Sequence, residues 1–235
     1  MASSGIDIAG VSRRYQGLRP LRIARLVVDR GDALAIAGID AAAAEMLVNL
    51  ITGAALPDEG DVRVGGRNTR DIATDTDWLV SLDRFGIVTE RSVLLESLSV
   101  AANLALPLTL AIDPLPGDIR ARVEAVAEEA GLPRARLDAP ASTLSSEERV
   151  RVHLARALGP GPELLLLEHP TARLDRDSAR AFGATLGRVA SARQLGWVAF
   201  SEDEMFARAA GARRMRLNAA SGALSADTLW RKMLS

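Results

Sequence analysis

The chain has 235 residues, 48% of them hydrophobic and 25% charged, which is enough for one sizeable core or for one core with a subdomain. Its formal net charge of -1 gives no global attraction to nucleic acid or to anionic lipid, so neither is expected as a partner. Cysteine is absent, which excludes disulfides and thiolate metal sites and is compatible with the cytoplasm.

The sequence predicts neither a signal peptide nor a segment that spans a membrane. Residues 1–7 have no basic start and no apolar core, so no signal peptide is expected. The most apolar stretch, residues 98–112, contains Asn103 and Pro107 and is shorter than the ~20 residues that span a bilayer. We therefore expect a soluble chain that can still sit beside a membrane partner.

The first third of the chain is predicted to form strands, turns and one helix. Short apolar or alternating runs predict strands at 6–11, 26–28, 33–37 and 61–64, a helix at 41–51, and turns at 57–60 and 65–66. The apolar run that ends at Ala37 is followed at once by Gly38 and then by the helix. A strand, a glycine and a helix in this order are the setting of a phosphate-binding loop.

The rest of the chain alternates strands with helices. A short strand is predicted at 85–90, and a helical pattern with proline breaks fills 97–158, clearest at 119–130. Further on we expect strands at 164–167, 197–200 and 215–217, and a helix at 176–195. This alternation predicts an α/β fold built on a mainly parallel sheet.

The expected phosphate loop lacks the groups that bind phosphate. The pattern is G-x-x-x-x-G-K-[S/T], and Gly38 fits its first position. Ala43 stands where the second glycine belongs, Ala44 where the lysine belongs, and Glu45 where the magnesium-binding hydroxyl belongs. The only lysine of the chain is Lys232, near the C-terminus.

The carboxylate of Asp40 is a candidate to take the place of the bound phosphate. Asp40 lies just before the helix, at the N-cap position, where its carboxylate can accept the N–H groups that phosphate would otherwise take. An alanine in the left-handed conformation costs roughly 1–2 kcal/mol. The run of four alanines at 41–44 therefore favours extension of the helix over a cradling loop.

The order of these segments resembles the ATP-binding cassette (ABC) ATPases, the motor subunits of ABC transporters, over nearly the whole chain. Residues 103–108 resemble the segment after the Q-loop in subunits of lipoprotein-release and macrolide-export systems. The resemblance implies one P-loop NTPase-like domain over 1–235. It would have a mainly parallel core sheet, an N-terminal antiparallel β region and an inserted helical subdomain at 91–160.

The resemblance also assigns roles around the nucleotide, and most of the assigned positions are altered. Tyr15 matches the family's adenine-stacking aromatic, with a half-buried strand residue as the alternative. Glu90 stands for the Q-loop glutamine and Glu202 for the switch histidine. Glu168 and His169 replace the aspartate and glutamate that end the Walker B strand. Glu168 could still approach magnesium, and His169 is either a general base or a structural residue.

The signature that faces the partner subunit in this family is also changed. It reads Leu-Ser-Gly-Gly-Gln in the family, and here Leu144 and Ser145 match while Ser146 and Glu147 replace both glycines. Glycine lets the backbone approach phosphate closely, so the remnant is interpreted as a capped structural helix. The D-loop, which contacts the partner subunit in the family, keeps Asp175.

These changes remove a lysine and add carboxylates around a site for a tetra-anion. We therefore predict a degenerate cassette subunit, a pseudo-ATPase with no bound cofactor and no metal, that serves as a structural or regulatory partner. The resemblance implies as partners a membrane permease, a second cassette subunit in a homo- or heterodimer, or both, at the inner face of the cell membrane. One alternative is a weak or composite-site ATPase that uses ATP and magnesium. Another is a stand-alone homodimer that takes no part in transport and binds some other ligand or protein.

The region that receives the permease's coupling helix in this family is apolar here. Its apolar residues are Val93, Leu94, Leu95, Leu98, Val100, Leu104, Leu106 and Leu108. An apolar surface normally marks an interaction site, whereas the alternative is that most of these side chains are core. Leu94 and Leu95 are the expected docking pair.

Overall fold

The structure is a computed structural model that describes residues 5–227. In chain order its strands are β1 Ile6–Arg13, β2 Leu21–Val28, β3 Ala33–Ala37, β4 Glu59–Val64, β5 Arg67–Asn68, β6 Phe85–Val88, β7 Leu164–Glu168, β8 Gly196–Phe200, β9 Arg213–Leu217 and β10 Leu224–Ala226. Its α-helices are α1 Ala41–Thr52, α2 Asp75–Leu82, α3 Val100–Ala105, α4 Gly117–Glu129, α5 Ser146–Leu158, α6 Arg176–Arg193 and α7 Glu204–Ala209.

The larger sheet has the strand order β10-β9-β3-β8-β7-β6. Its strands β9, β3, β8, β7 and β6 run parallel, and β10 is antiparallel to β9. Every residue of β7 and β8 is buried, as expected for parallel strands whose two faces are both covered. The α/β fold with a mainly parallel sheet is thus confirmed.

The smaller sheet is antiparallel, in the order β2-β1-β4-β5, which confirms the N-terminal antiparallel region. In β1 the side chains of Ile6 and Ile8 are buried, and Ile6 lies opposite Val28 of β2 and Val64 of β4. Their apolar side chains join those of α1 and one face of β3 in a single hydrophobic cluster. Helix α1 is therefore held between the two sheets.

A second hydrophobic cluster covers the opposite face of the larger sheet. It contains buried side chains of α3, α4, α5, α6 and α7. The rings of Phe182 and Phe206 stack there with centroids 5.9 Å apart. Because the helices of 91–160 share this cluster with α6 and the sheet, the boundaries of a separate helical subdomain stay a prediction.

The strand and helix predictions hold closely where apolar residues are periodic. The strand at 33–37 is found with the predicted bounds, and α1 ends one residue later than predicted. The helix at 176–195 ends earlier, at Arg193, because Gln194 adopts the left-handed conformation of a C-cap. Helix α2 was not predicted, since it has no buried residue and hence no apolar stripe.

Within residues 5–227 none of the helices combines the length and the apolar character needed to cross a membrane.

Candidate functional site

The junction between β3 and α1 is where the phosphate loop would lie. Three residues separate the two elements, and Gly38 among them has φ +83°. A Cβ at Gly38 would lie 2.7 Å from the backbone oxygen of Leu217, so only glycine fits. All of residues 41–44 are helical, and Ala43 and Ala44 are buried in the cluster against the sheet. The predicted extension of the helix is therefore observed, and the side chain at 44 faces the core.

Asp40 caps this helix, as the sequence predicts. Its φ and ψ are −77° and 173°, and its Oδ1 accepts the backbone N–H of Ala43 at 2.8 Å. The N–H of Ala44 bonds to the backbone oxygen of Asp40 at 2.9 Å. At this helix N-terminus, which in a phosphate loop faces the anion, the N–H of Ala43 is thus bonded to a carboxylate of the chain itself.

Glu202 lies beside the same junction. It follows the buried strand β8, and its Oε1 accepts the backbone N–H of Gly38 at 2.5 Å. Its Oε2 accepts a hydrogen bond from Arg216 at 3.1 Å. The N–H of the first glycine of the loop pattern therefore already donates to a carboxylate. A phosphate oxygen would have to displace that carboxylate to accept the same hydrogen bond.

Arg91 joins two of the replaced positions. Its Nε and Nη2 contact the carboxylate of Glu168 at 2.9 and 2.6 Å, and its Nη1 contacts Glu45 Oε1 at 2.7 Å. The hydroxyl of Thr89 also donates to Glu168, at 2.9 Å. Hydrogen bonding to Glu168, together with the negative charges of Glu168 and Glu45, raises the pKa of Arg91 further above its ordinary value.

Three arginines offset the negative charge of the four added carboxylates in part. Each has an arginine partner in an ion pair, and these pairs are Glu45–Arg91, Glu168–Arg91, Glu90–Arg173 and Glu202–Arg216. Sequence analysis assigned no role to Arg91, Arg173, Arg216 or Thr89. Arg91 directly follows Glu90, which is the one signal that pointed to it.

His169 lies in a backbone conformation that non-glycine residues rarely adopt, with φ 42°. Its backbone N–H donates to the oxygen of Phe200 at 3.0 Å, and its Nε2 is buried without a hydrogen-bond partner among the described residues. A general base needs to reach the proton that it removes, often while a third group holds it in orientation. These contacts favour the structural interpretation of His169.

The signature segment forms a capped helix start, as expected. Ser145 Oγ accepts the N–H of Glu148 at 3.2 Å, and Glu148 Oε2 in turn accepts the N–H of Ser145 at 2.9 Å. Glu147 pairs with Arg151 at 2.9 Å, and Ser146 is the first helical residue. Both carboxylates therefore stabilise α5 and its neighbours.

Asp175 also has a structural role within the chain. Its Oδ1 accepts the backbone N–H of Ser178 at 2.8 Å and caps α6. Hydrogen bonding to Ser178 lowers the pKa of this carboxyl. Its retention is thus explained without a partner subunit.

Tyr15 lies in the loop after β1 and is half-buried, so the strand part of the alternative interpretation is wrong. Burial and the nearby charge of Asp40 raise the pKa of its hydroxyl. With Gly38, Asp40 and Ala43 it lines a cleft of about 370 Å³.

The predicted docking pair is divided between core and surface. Leu94 is 5% exposed and belongs to the hydrophobic cluster, whereas Leu95 is 45% exposed. Val93 is also exposed, while Val100 and Leu104 are buried. Leu94 is therefore a core residue, as the alternative interpretation has it, and only part of the apolar region lies on the protein surface. A cavity of about 300 Å³ opens beside Val93 and Leu94.

Magnesium and ATP, which the resemblance implies, do not fit the residues at this junction. The helix N-terminus is capped, the Gly38 N–H is bonded to Glu202, and a guanidinium stands between Glu45 and Glu168. In the part of the chain that the structure describes, no three histidine or acidic side chains are grouped for a metal ion.

Comparison with known proteins decides the family. The family model described as ABC transporter matches residues 21–172. The chain belongs to the ABC transporter family.

Several curated ABC proteins are similar to the chain. The macrolide export ATP-binding/permease protein MacB 1 of Aeromonas hydrophila is 33% identical over 78% of this chain, and the match covers 29% of that protein. The methionine import ATP-binding protein MetN 2 of Paraburkholderia xenovorans is 33% identical over 77% of this chain and 46% of its own length. The lipoprotein-releasing system ATP-binding protein LolD of Saccharophagus degradans is 27% identical over 85% of this chain and 87% of its own.

Solved structures agree on the fold. A dimeric bacterial ABC transporter cassette superposes with a TM-score of 0.75 at 23% identity, covering 92% of this chain and 95% of that one. The cbiO1 protein of Clostridium perfringens, part of an ABC transporter complex, superposes with a TM-score of 0.79 at 20% identity, covering 98% of this chain and 91% of that one. The cassette fold is thus established for this chain.

Proposed function

We propose that this ABC family member is a subunit that does not hydrolyse ATP and that acts as a structural or regulatory partner in a transporter. One observation carries the proposal. Helix α1 already begins at Ala41, is capped by Asp40, and turns the side chain of Ala44 into the core. The loop and the lysine that hold phosphate in a P-loop enzyme therefore have no counterpart at this junction.

The chemistry of phosphoryl transfer supports the same conclusion. Its catalysis depends almost entirely on positioning and on neutralising the charge of the phosphates. Here the carboxylate of Glu202 stands at the Gly38 N–H, and the guanidinium groups of Arg91 and Arg216 are already paired with carboxylates. An incoming tetra-anion would have to break these contacts before it gained any of its own.

Relatives support a transporter as the setting. Two of the similar proteins are named as ATP-binding parts of macrolide export and lipoprotein release. We propose that this chain docks on a membrane permease or pairs with a second cassette subunit at the inner face of the membrane. The exposed side chain of Leu95 and that of Val93, which lines the cavity of about 300 Å³, form the proposed docking surface.

Co-purification from the native host tests this docking surface. Leu95→Glu should abolish recovery of a permease with the tagged chain while the melting temperature stays within about 2 °C, since an exposed substitution costs about 0.5 kcal/mol or less. Leu79→Glu, at a leucine of α2 that is 57% exposed, is the matched control and should leave recovery unchanged. If Leu95→Glu recovers as much permease as the wild-type chain does, Leu95 is not part of a docking surface.

A composite-site ATPase is the second candidate, and the cleft beside Tyr15 is the observation that favours it. A nucleotide held by this chain must raise its stability by RT ln(1 + [L]/Kd). A shift in melting temperature with millimolar Mg-ATP would support this candidate. The structural subunit should show no shift.

A further inference from the structure

We propose that Arg91 acts as a built-in cation that holds the carboxylates of Glu45 and Glu168 together in place of a divalent metal. This inference rests on the proposed function, because it concerns the same junction and explains why the folded subunit needs no metal nucleotide there. Arg91 is in this sense a positioning residue, and its guanidinium replaces a divalent cation.

The three residues come from three separate elements. Glu45 lies in the first turns of α1, Glu168 ends β7, and Arg91 follows β6. The guanidinium binds Glu168 through two nitrogens and Glu45 through a third, in the fork geometry that suits arginine and carboxylate. One positive group therefore links α1, β7 and the segment after β6.

The buried position of Glu168 makes this cation necessary. Glu168 is only 7% exposed, and a buried carboxylate is costly unless it is paired and hydrogen-bonded. Thr89 donates one hydrogen bond to it, and in residues 5–227 Arg91 is the only basic side chain in an ion pair with either Glu168 or Glu45. Removing the guanidinium would leave two unpaired carboxylates facing the same space.

Two carboxylates and the Thr89 hydroxyl are the oxygen ligands that hard divalent cations prefer. The guanidinium already satisfies both carboxylates, so Mg²⁺ gains little by binding the wild-type chain. A variant without the guanidinium should gain an affinity for the same ion. Removal of the Arg91 guanidinium is thus expected to create Mg²⁺ binding. Removal of an arginine from an ordinary surface salt bridge would not create it.

The experiment follows the melting temperature of the whole chain in MgCl₂ alone, without nucleotide and at constant ionic strength. Wild type should show no shift up to about 10 mM, whereas Arg91→Ala should start lower and rise by about 2–4 °C. Arg91→Lys, which keeps the charge, should show no rise. Arg173→Ala removes a neighbouring exposed ion pair with Glu90 and should show none either. The double variant Arg91→Ala/Glu168→Gln should lose the response.

An Arg91→Ala chain that folds and ignores Mg²⁺ would overturn the inference, and so would an equal response in wild type. If Arg91→Ala fails to fold without metal, Arg91→Gln provides the same comparison, and failure of Mg²⁺ to restore either variant also overturns it. None of these outcomes depends on ATP. Hydrolysis of ATP by the wild-type chain would instead contradict the proposed function and leave the cation test unaffected.

Discussion

The carboxylate of Glu202 accepts the backbone N–H of Gly38 at 2.5 Å, across 164 positions of sequence. Gly38 is the one residue of the phosphate-loop pattern that the chain retains, and Glu202 stands where the family has its switch histidine. The contact brings two altered motifs together and ties the end of β8 to the start of α1. An internal anion thus takes the place that a phosphate would need.

The cap at Asp40 predicts a defined loss of stability. Asp40→Ala should lower the free energy of unfolding by about 0.5–2 kcal/mol, because the N–H of Ala43 loses its acceptor. Asp40→Asn should retain most of the stability, since asparagine caps equally well. Urea unfolding of the three proteins measures this, and a neutral Asp40→Ala would contradict the capping account.

Restoring the lysine should not restore nucleotide binding. Ala44 is fully buried, so Ala44→Lys should cost about 1–3 kcal/mol from overpacking alone and give no shift in melting temperature with Mg-ATP. Ala42→Lys, on the exposed face of the same helix turn, should be close to neutral. Binding of Mg-ATP by Ala44→Lys would show that the helix start can open into a loop.

Buried His153 predicts a loss of stability in mild acid. Burial, with added repulsion from Arg156 and Arg149, lowers the pKa of His153 from 6.5 to about 4. Between these values the unfolded chain takes up a proton that the folded chain does not, so stability falls as the pH falls through this window. The loss should approach about 3 kcal/mol near pH 4. Chemical unfolding at a series of pH values should show this component in wild type and not in His153→Gln.

Leu94 and Leu95 should respond differently to the same change. Leu94→Glu places a carboxylate in the hydrophobic cluster that Leu94 shares with α3 and should destabilise the chain severely, by more than about 3 kcal/mol. Leu95→Glu should leave thermal stability nearly unchanged, because its side chain is exposed. Similar melting curves for the two variants would contradict the assignment of Leu94 to the core.

The sequence predicts the fold well because burial leaves a periodic signal. The four leucines of β7 and the apolar run of β3 could be identified as strands, since both faces of each are buried. The N-cap of Asp40 could be predicted because capping depends on residues that are adjacent in sequence. Helix α2 could not be predicted, since its exposed surface follows no apolar pattern.

The charges of the site could not be predicted in the same way. Arg91 lies 46 positions from Glu45 and 77 from Glu168, and Arg216 lies 14 from Glu202. Such pairs depend on how the sheet brings strand ends together, which no local spacing encodes. Counting the replaced residues alone therefore overstated the excess of negative charge, which three arginines offset in part.

Release of phosphate from Mg-ATP by the purified wild-type chain tests the central claim most directly. The account predicts no turnover above the buffer background, and no difference between wild type, Glu168→Ala and His169→Ala. Turnover by wild type that disappears in Glu168→Ala or in His169→Ala would contradict it, because these side chains would then be doing the chemistry that the geometry assigns to neither.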